Sequence, residues 1–180
     1  MDLAFDLHKQ GDADMHAAYH AHSPAPTSVR EKIAAALWCR LAVNPDRELV
    51  QKATQLFALP QHAGTGAQLV WGTCDAIWDM VGDTSDDVNW YTKRATLAGV
   101  YASTVLYWLG DDSPDYTKTR DFIDRRIANV MQIEKAKSAL RDNPVTGAFM
   151  AGPMAALLGR IRKPAEMPSD LPGQGTQHAK

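Results

Sequence analysis

Apolar residues recur along this chain with a helical period, and nowhere with the alternation of a half-buried strand. The clearest case is Gly82 to Asp111, which reads as one helix apolar almost all the way round. One stripe runs Val88, Tyr91, Ala95, Ala98, Ala102, Val105 and Leu109; a second runs Trp90, Leu97, Tyr101, Thr104 and Trp108. Lys93, Thr96 and Ser103 leave only a narrow polar strip. Such a helix is either wrapped by protein or lines an apolar cavity.

Other segments repeat the pattern more weakly. Residues 2 to 20 predict a short polar helix. Ser28 stands three residues before Glu31, the spacing of a capping box, and the helix behind it carries Ile33, Leu37, Trp38 and Leu41. Asn44 and Pro45 predict the start of a third helix, as N-cap and first helical residue, with Leu49, Ala53, Leu56 and Phe57 apolar. A fourth spans about 67 to 81, with Val70, Trp71, Cys74, Ile77, Trp78 and Val81 on its stripe. Ser113 and Pro114 open the next, which should bury Phe122, Ile123, Ile127, Val130 and Met131. Short links between long amphipathic helices mean an all-α bundle.

Composition narrows the function classes. The chain has 180 residues, enough for one domain with a real core, and a net charge of −2 gives no basic field for nucleic acid. Cys39 and Cys74 lie among apolar residues and read as buried reduced thiols. No window is long and apolar enough for a membrane span, and the acidic N-terminus has no secretory signal core.

The candidates for chemistry are thin. His8, His16, His20 and His22 crowd the N-terminal segment, and His16 and His20 stand four apart. They lack the neighbouring carboxylates of a metal site, so a polar, frayed helix is expected there. Asp75 and Asp79 are also four apart but lie opposite the apolar stripe and read as solvated. Gly64 to Gly66 lacks a phosphate-loop lysine and reads as a loop. No catalytic residue, metal or cofactor is assigned. Trp71, Cys74, Trp78, Tyr101, Val105, Trp108 and Leu109 remain as wall for a greasy ligand or as ordinary dry core, and periodicity does not separate the two.

The stretch NWYTKRA, followed by LAGVYASTVLYWL and then FIDRRI, resembles the coenzyme Q biosynthesis accessory proteins, as does the preceding DAIWDMVGDTS. The resemblance covers roughly residues 29 to 140. It implies a fold like the ligand domain of tetracycline-repressor regulators, here starting after the family's helix-turn-helix-like segment. It further implies a non-enzymatic, homodimeric protein that binds isoprenoid lipid or phospholipid and presents a ubiquinone intermediate to a ring hydroxylase. The seven wall residues above would then be lipid-binding, and Asp86, Asn89, Trp90, Tyr91 and Arg94 would form the surface that meets the hydroxylase. Lys93 and Arg94 have Asp86, Asp87 or other nearby acids as ion-pair partners on a solvated face, and Arg94, which shares a stripe with Trp90 and Leu97, is alternatively placed to hold the patch in shape.

Val145 to Lys163 is apolar, free of acids, interrupted by Pro153 and basic only at its end. It reads as a last core helix or as an interfacial one. The resemblance implies the second, with Phe149, Met150, Met154, Leu157, Leu158 and Ile161 facing lipid and Arg160 and Arg162 facing headgroups. The expected organisation is a polar helix over 1–22, a lipid-binding domain over 28–140, a membrane helix over 145–163 and a disordered tail over 164–180. Such a protein would be peripheral at the bacterial inner membrane or on the matrix side in mitochondria. The rival expectation is a repressor-like ligand-sensing or dimerisation module without enzymatic activity.

Overall fold

Helix signals and breakers divide the chain into six α-helices in the computed structural model, which describes residues 2–44, 46–142 and 161–164. They are α1 (Asp2–His20), α2 (Val29–Ala42), α3 (Arg47–Phe57), α4 (Ala63–Met80), α5 (Val88–Leu109) and α6 (Thr117–Asp142), with a 3₁₀ turn at Pro114–Tyr116. The described residues contain no strand, so the architecture is all-α, as expected of a repressor-like helical ligand domain. Helix α5 packs between α4 and α6; α2 lies against α1 and α6, and α3 packs chiefly on α4.

Local signals set most boundaries. The capping box at α2 is complete: the Ser28 side chain accepts from the Glu31 amide, and the Glu31 carboxylate accepts from the Thr27 and Ser28 amides. Those bonds, from Thr27 first, draw the Glu31 carboxyl down to about 2. Helix α3 is capped by Asp46, whose carboxylate accepts from the Leu49 amide at 3.0 Å, in place of Asn44. The Asn44 side chain instead donates to the carbonyls of Arg40 and Leu41 at the end of α2. Residues Gly64 to Gly66 fall inside α4, one turn earlier than the periodicity suggests. Gly66 is needed there because a Cβ would sit 2.8 Å from the Phe57 Cβ, so it lets α4 approach α3.

The core gathers Met15, Leu37, Leu41, Cys74, Ile77, Leu97, Tyr101, Trp108 and Ile123. Helix α1 is therefore no frayed appendage: Met15 is fully buried, and α1 contacts both α2 and α4. In α6, Ile123 and Ile127 are buried, whereas Met131 is 42% exposed and Phe122 stacks on Tyr107 with centroids 4.4 Å apart. At the α5–α6 corner the buried Asp111 carboxylate accepts from the Ser113 and Thr119 amides and the Thr119 hydroxyl. Burial opposes its ionisation, but the bonds from Thr119 and Ser113 outweigh it and hold the carboxyl below the usual range. No helix among the described residues is long and apolar enough to cross a membrane.

Candidate functional site

The two apolar stripes of α5 have different fates. Leu97, Tyr101, Thr104 and Trp108 turn inward and are buried. Ala95, Ala98, Ala102 and Val105, with Leu106 beside them, instead form one wall of a cavity of about 670 Å³. Helix α3 closes the opposite side with Val50, Ala53, Thr54 and Phe57, and α4 contributes Leu69, Val70 and Trp71. Helix α3 is strongly amphipathic yet has no buried residue, because its apolar face looks into this space. Leu106, 62% exposed, marks where the cavity meets solvent. A volume of several hundred Å³ with mostly alkyl walls suits an apolar ligand.

Of the seven wall residues named from the sequence, Trp71, Tyr101 and Val105 line the cavity. Cys74 is fully buried in the core, and burial pushes its thiol up to about 12, far from a reactive thiolate. Trp78 lies instead under the Lys93 ammonium, 5.2 Å from the ring centroid. Trp108 is buried beneath the Arg47 guanidinium, and Leu109 packs against the core. Arg47 ties the start of α3 to the end of α5 by donating to the carbonyls of Trp108, Leu109 and Asp111. The residues that periodicity missed are Leu7, His8 and Arg40, together with the inner face of α3. The strong amphipathicity of α3 was the available signal.

The aromatic patch sits directly beside the cavity. Trp90 and Tyr91 pack edge to face with centroids 4.8 Å apart, and both rings approach Trp71, at 5.9 and 6.5 Å. Asp86 and Asn89 are exposed, and the Asn89 side chain donates to the Asp87 carboxylate at 3.0 Å. Arg94 is only 1% exposed, so it supports the patch from beneath. Its guanidinium stacks on Trp90 at 4.0 Å and bonds to the carboxylates of Asp75, Asp79 and Asp83. Of the expected partners it is the nearby acids Asp75, Asp79 and Asp83 that take Arg94, not Asp86 or Asp87, and Asp75 and Asp79 are ion-pair partners as well as partly solvated groups. Asp83, 2% exposed at the side chain, also accepts from Lys93 and Ser85. Burial opposes its ionisation, but the bonds from Lys93, Ser85 and Arg94 prevail and keep its carboxyl below the usual range.

Within Val145 to Lys163, only Ile161, Arg162 and Lys163 are described; Phe149, Met150, Met154, Leu157, Leu158 and Arg160 lie outside the described residues, as does the tail beyond Pro164. The described piece returns to the patch: Tyr91 Oη donates to the Arg162 carbonyl at 3.1 Å, and the Lys163 amide donates to the Asp86 carbonyl at 2.9 Å. No group of three or more metal-ligating side chains occurs among the described residues.

These features place the molecule among all-helical proteins built around an open apolar cavity. A protein-family model described as COQ9 matches residues 63–134, the segment holding α4, the patch and α5. The chain is 40% identical over 82 residues to the rat mitochondrial ubiquinone biosynthesis protein COQ9, covering 46% of this chain and 26% of the rat protein. It is 35% identical over 82 residues to the human protein of that name, again 46% and 26%. A probable ubiquinone biosynthesis protein coq9 of Dictyostelium discoideum matches at 34% over 116 residues, 64% of this chain and 38% of that protein. The matched region thus spans about a quarter to two fifths of these relatives.

Proposed function

We propose that this chain is a non-catalytic, lipid-binding accessory protein of ubiquinone biosynthesis. The observation that carries the reading is the open cavity of about 670 Å³ whose walls are the outer stripe of α5 and the unburied apolar face of α3. A dry core would have collapsed that space, since interiors pack to crystal-like density. An isoprenoid tail replaces membrane contact with protein contact there, at little net cost in apolar exposure. The names of the matching relatives supply the pathway.

The finer mechanism is physical. The segment from Val145 to Lys163 docks on the bilayer as an interfacial helix, the cavity takes the tail, and the Trp90–Tyr91 patch recruits a ring hydroxylase to the quinone head. Trp71 supports this arrangement, because it lines the cavity and touches both patch aromatics. The protein works as a homodimer peripheral to the membrane.

Uptake from vesicles tests the reading. The wild-type chain should withdraw a fluorescent polyisoprenoid from phosphatidylcholine vesicles. Ala98→Trp, which places an indole in the cavity without touching the buried stripe, should abolish uptake while preserving the thermal transition. Equal uptake by both proteins would show that lipid binds elsewhere.

A further inference from the structure

The cavity has a defined length. It follows α5 from Ala95, on the side of Trp71 and the patch, to Leu106. At ~1.5 Å of rise per helical residue, that run is about 16 Å. A fully extended chain of single bonds advances roughly 1.2 Å per bond, so about 13 bonds match it, a little over three isoprene units. The volume sets the same scale. At about 30 Å³ per methylene-sized group, the cavity of about 670 Å³ takes about 22 carbons, a little over four units.

Neither the inner side nor the far end lets a chain go further. On the inner side Leu41, Leu69 and Arg40 are at most 5% exposed, and Arg40 is held in place by Asp12 and the His8 carbonyl. At the far end the Arg47 guanidinium fastens the first residue of α3 to α5 through the Trp108, Leu109 and Asp111 carbonyls, with the Trp108 ring beneath it. The way left is sideways past Leu106, which is 62% exposed. From this geometry we infer that the cavity holds only the isoprene units next to the head, about three to four of them, and that a longer tail leaves past Leu106 and lies outside the protein. The site therefore demands a minimum tail length and is blind to any length beyond it. Units inside exchange water for alkyl walls, whereas units outside bury little further surface and add little affinity. This limit rests on the proposed reading of the cavity as a lipid site with the quinone head at the Trp90–Tyr91 patch. It adds how much of the tail is recognised and where the rest goes.

Displacement of Nile red from the full chain by geraniol, farnesol, geranylgeraniol and geranylfarnesol, which carry two to five isoprene units, tests it. Affinity should rise at least about tenfold from geraniol to farnesol, and less than about threefold from geranylgeraniol to geranylfarnesol. Leu106→Trp, at an exposed position, narrows the way out. It should leave geraniol within about twofold of its wild-type affinity and weaken geranylfarnesol at least about tenfold. Ala102→Trp, one turn nearer the patch, shortens the cavity, so farnesol should then bind no more than about threefold tighter than geraniol. Each variant is compared with the wild type on the same prenol, so the behaviour of that prenol in water cancels. A tenfold gain that persists to geranylfarnesol, a plateau already at geraniol, or variants whose effect does not depend on tail length would overturn the limit. The wild-type series decides the matter even if a variant folds poorly. Failure of all four prenols to displace the dye would instead overturn the lipid reading on which the limit rests.

Discussion

The indole of Trp71 stands in the cavity wall with its centroid 5.9 Å from that of Trp90 on the outer patch. One aromatic on α4 thus joins the space for a lipid tail to the surface proposed for a partner. The joint substitution Trp90→Ala and Tyr91→Ala should weaken binding of the ring hydroxylase by more than tenfold, as loss of buried aromatic anchors does at other interfaces. Calorimetric titration checks this, and lipid uptake should be retained. Unchanged affinity would remove the patch from the account.

Beneath that patch, Arg94 answers three carboxylates while burying its own charge. Arg94→Met should lower stability by about 3 kcal/mol, because breaking a buried pair strands its partners, here chiefly Asp83. Asp75 and Asp79, which are 40% and 68% exposed at the side chain, can rehydrate and should contribute little. In a double-mutant cycle by urea unfolding, Arg94→Met should couple strongly to Asp83→Asn and weakly to Asp79→Asn.

His8 gives the fold a pH dependence in a window of its own. Burial, and then the Arg40 charge, lowers its pKa from 6.5 to about 4 despite the opposing Asp12 carboxylate. Below pH 6.5 the unfolded chain binds a proton that the folded chain refuses until about pH 4. Stability is therefore full above that window and falls as pH drops through it, at up to about 1.4 kcal/mol per pH unit. Urea midpoints measured between pH 7 and pH 4.5 should show the decline in the wild type, and His8→Gln should flatten it. The low-lying carboxyls of Glu31, Asp83 and Asp111 act at lower pH, where their stabilising charge is lost on protonation.

The relation between α5 and its neighbours shows what pattern alone carries. Both stripes of α5 were legible as apolar, but only packing reveals that the stripe through Leu97 and Trp108 is core and the stripe through Ala98 and Ala102 is cavity wall. Periodicity reports that a face avoids water and not what covers it. The capping box at Ser28 and Glu31 was fully visible because it is local. The role of α1 was hidden: a run of His and Asp reads as polar, yet His8, Asp12 and Met15 share the face that meets α2 and α4. For Arg94 the signal existed in part. Asp75, Asp79 and Asp83 recur every four residues, a helical spacing of acids; the first two lie on α4, Asp83 lies just past its end, and one buried cation binds all three.

Tyr91 ties the patch to the far end of the chain through the Arg162 carbonyl. Tyr91→Phe removes that bond and should speed tryptic cleavage after Arg162 several-fold while leaving the thermal transition within about 1 kcal/mol of wild type, the scale of one exposed hydrogen bond. Time-resolved mass spectrometry of the digest follows it, and an unchanged cleavage rate would show that the contact does not hold the segment in place.

The central claim is that the cavity beside α3 and α5 encloses lipid. Mass spectrometry of an organic extract of the purified, folded protein tests it most directly. The account predicts isoprenoid quinone or phospholipid at close to one molecule per chain in the wild type and none in Ala98→Trp. A lipid-free extract from the wild-type protein, or equal lipid in both, would contradict it.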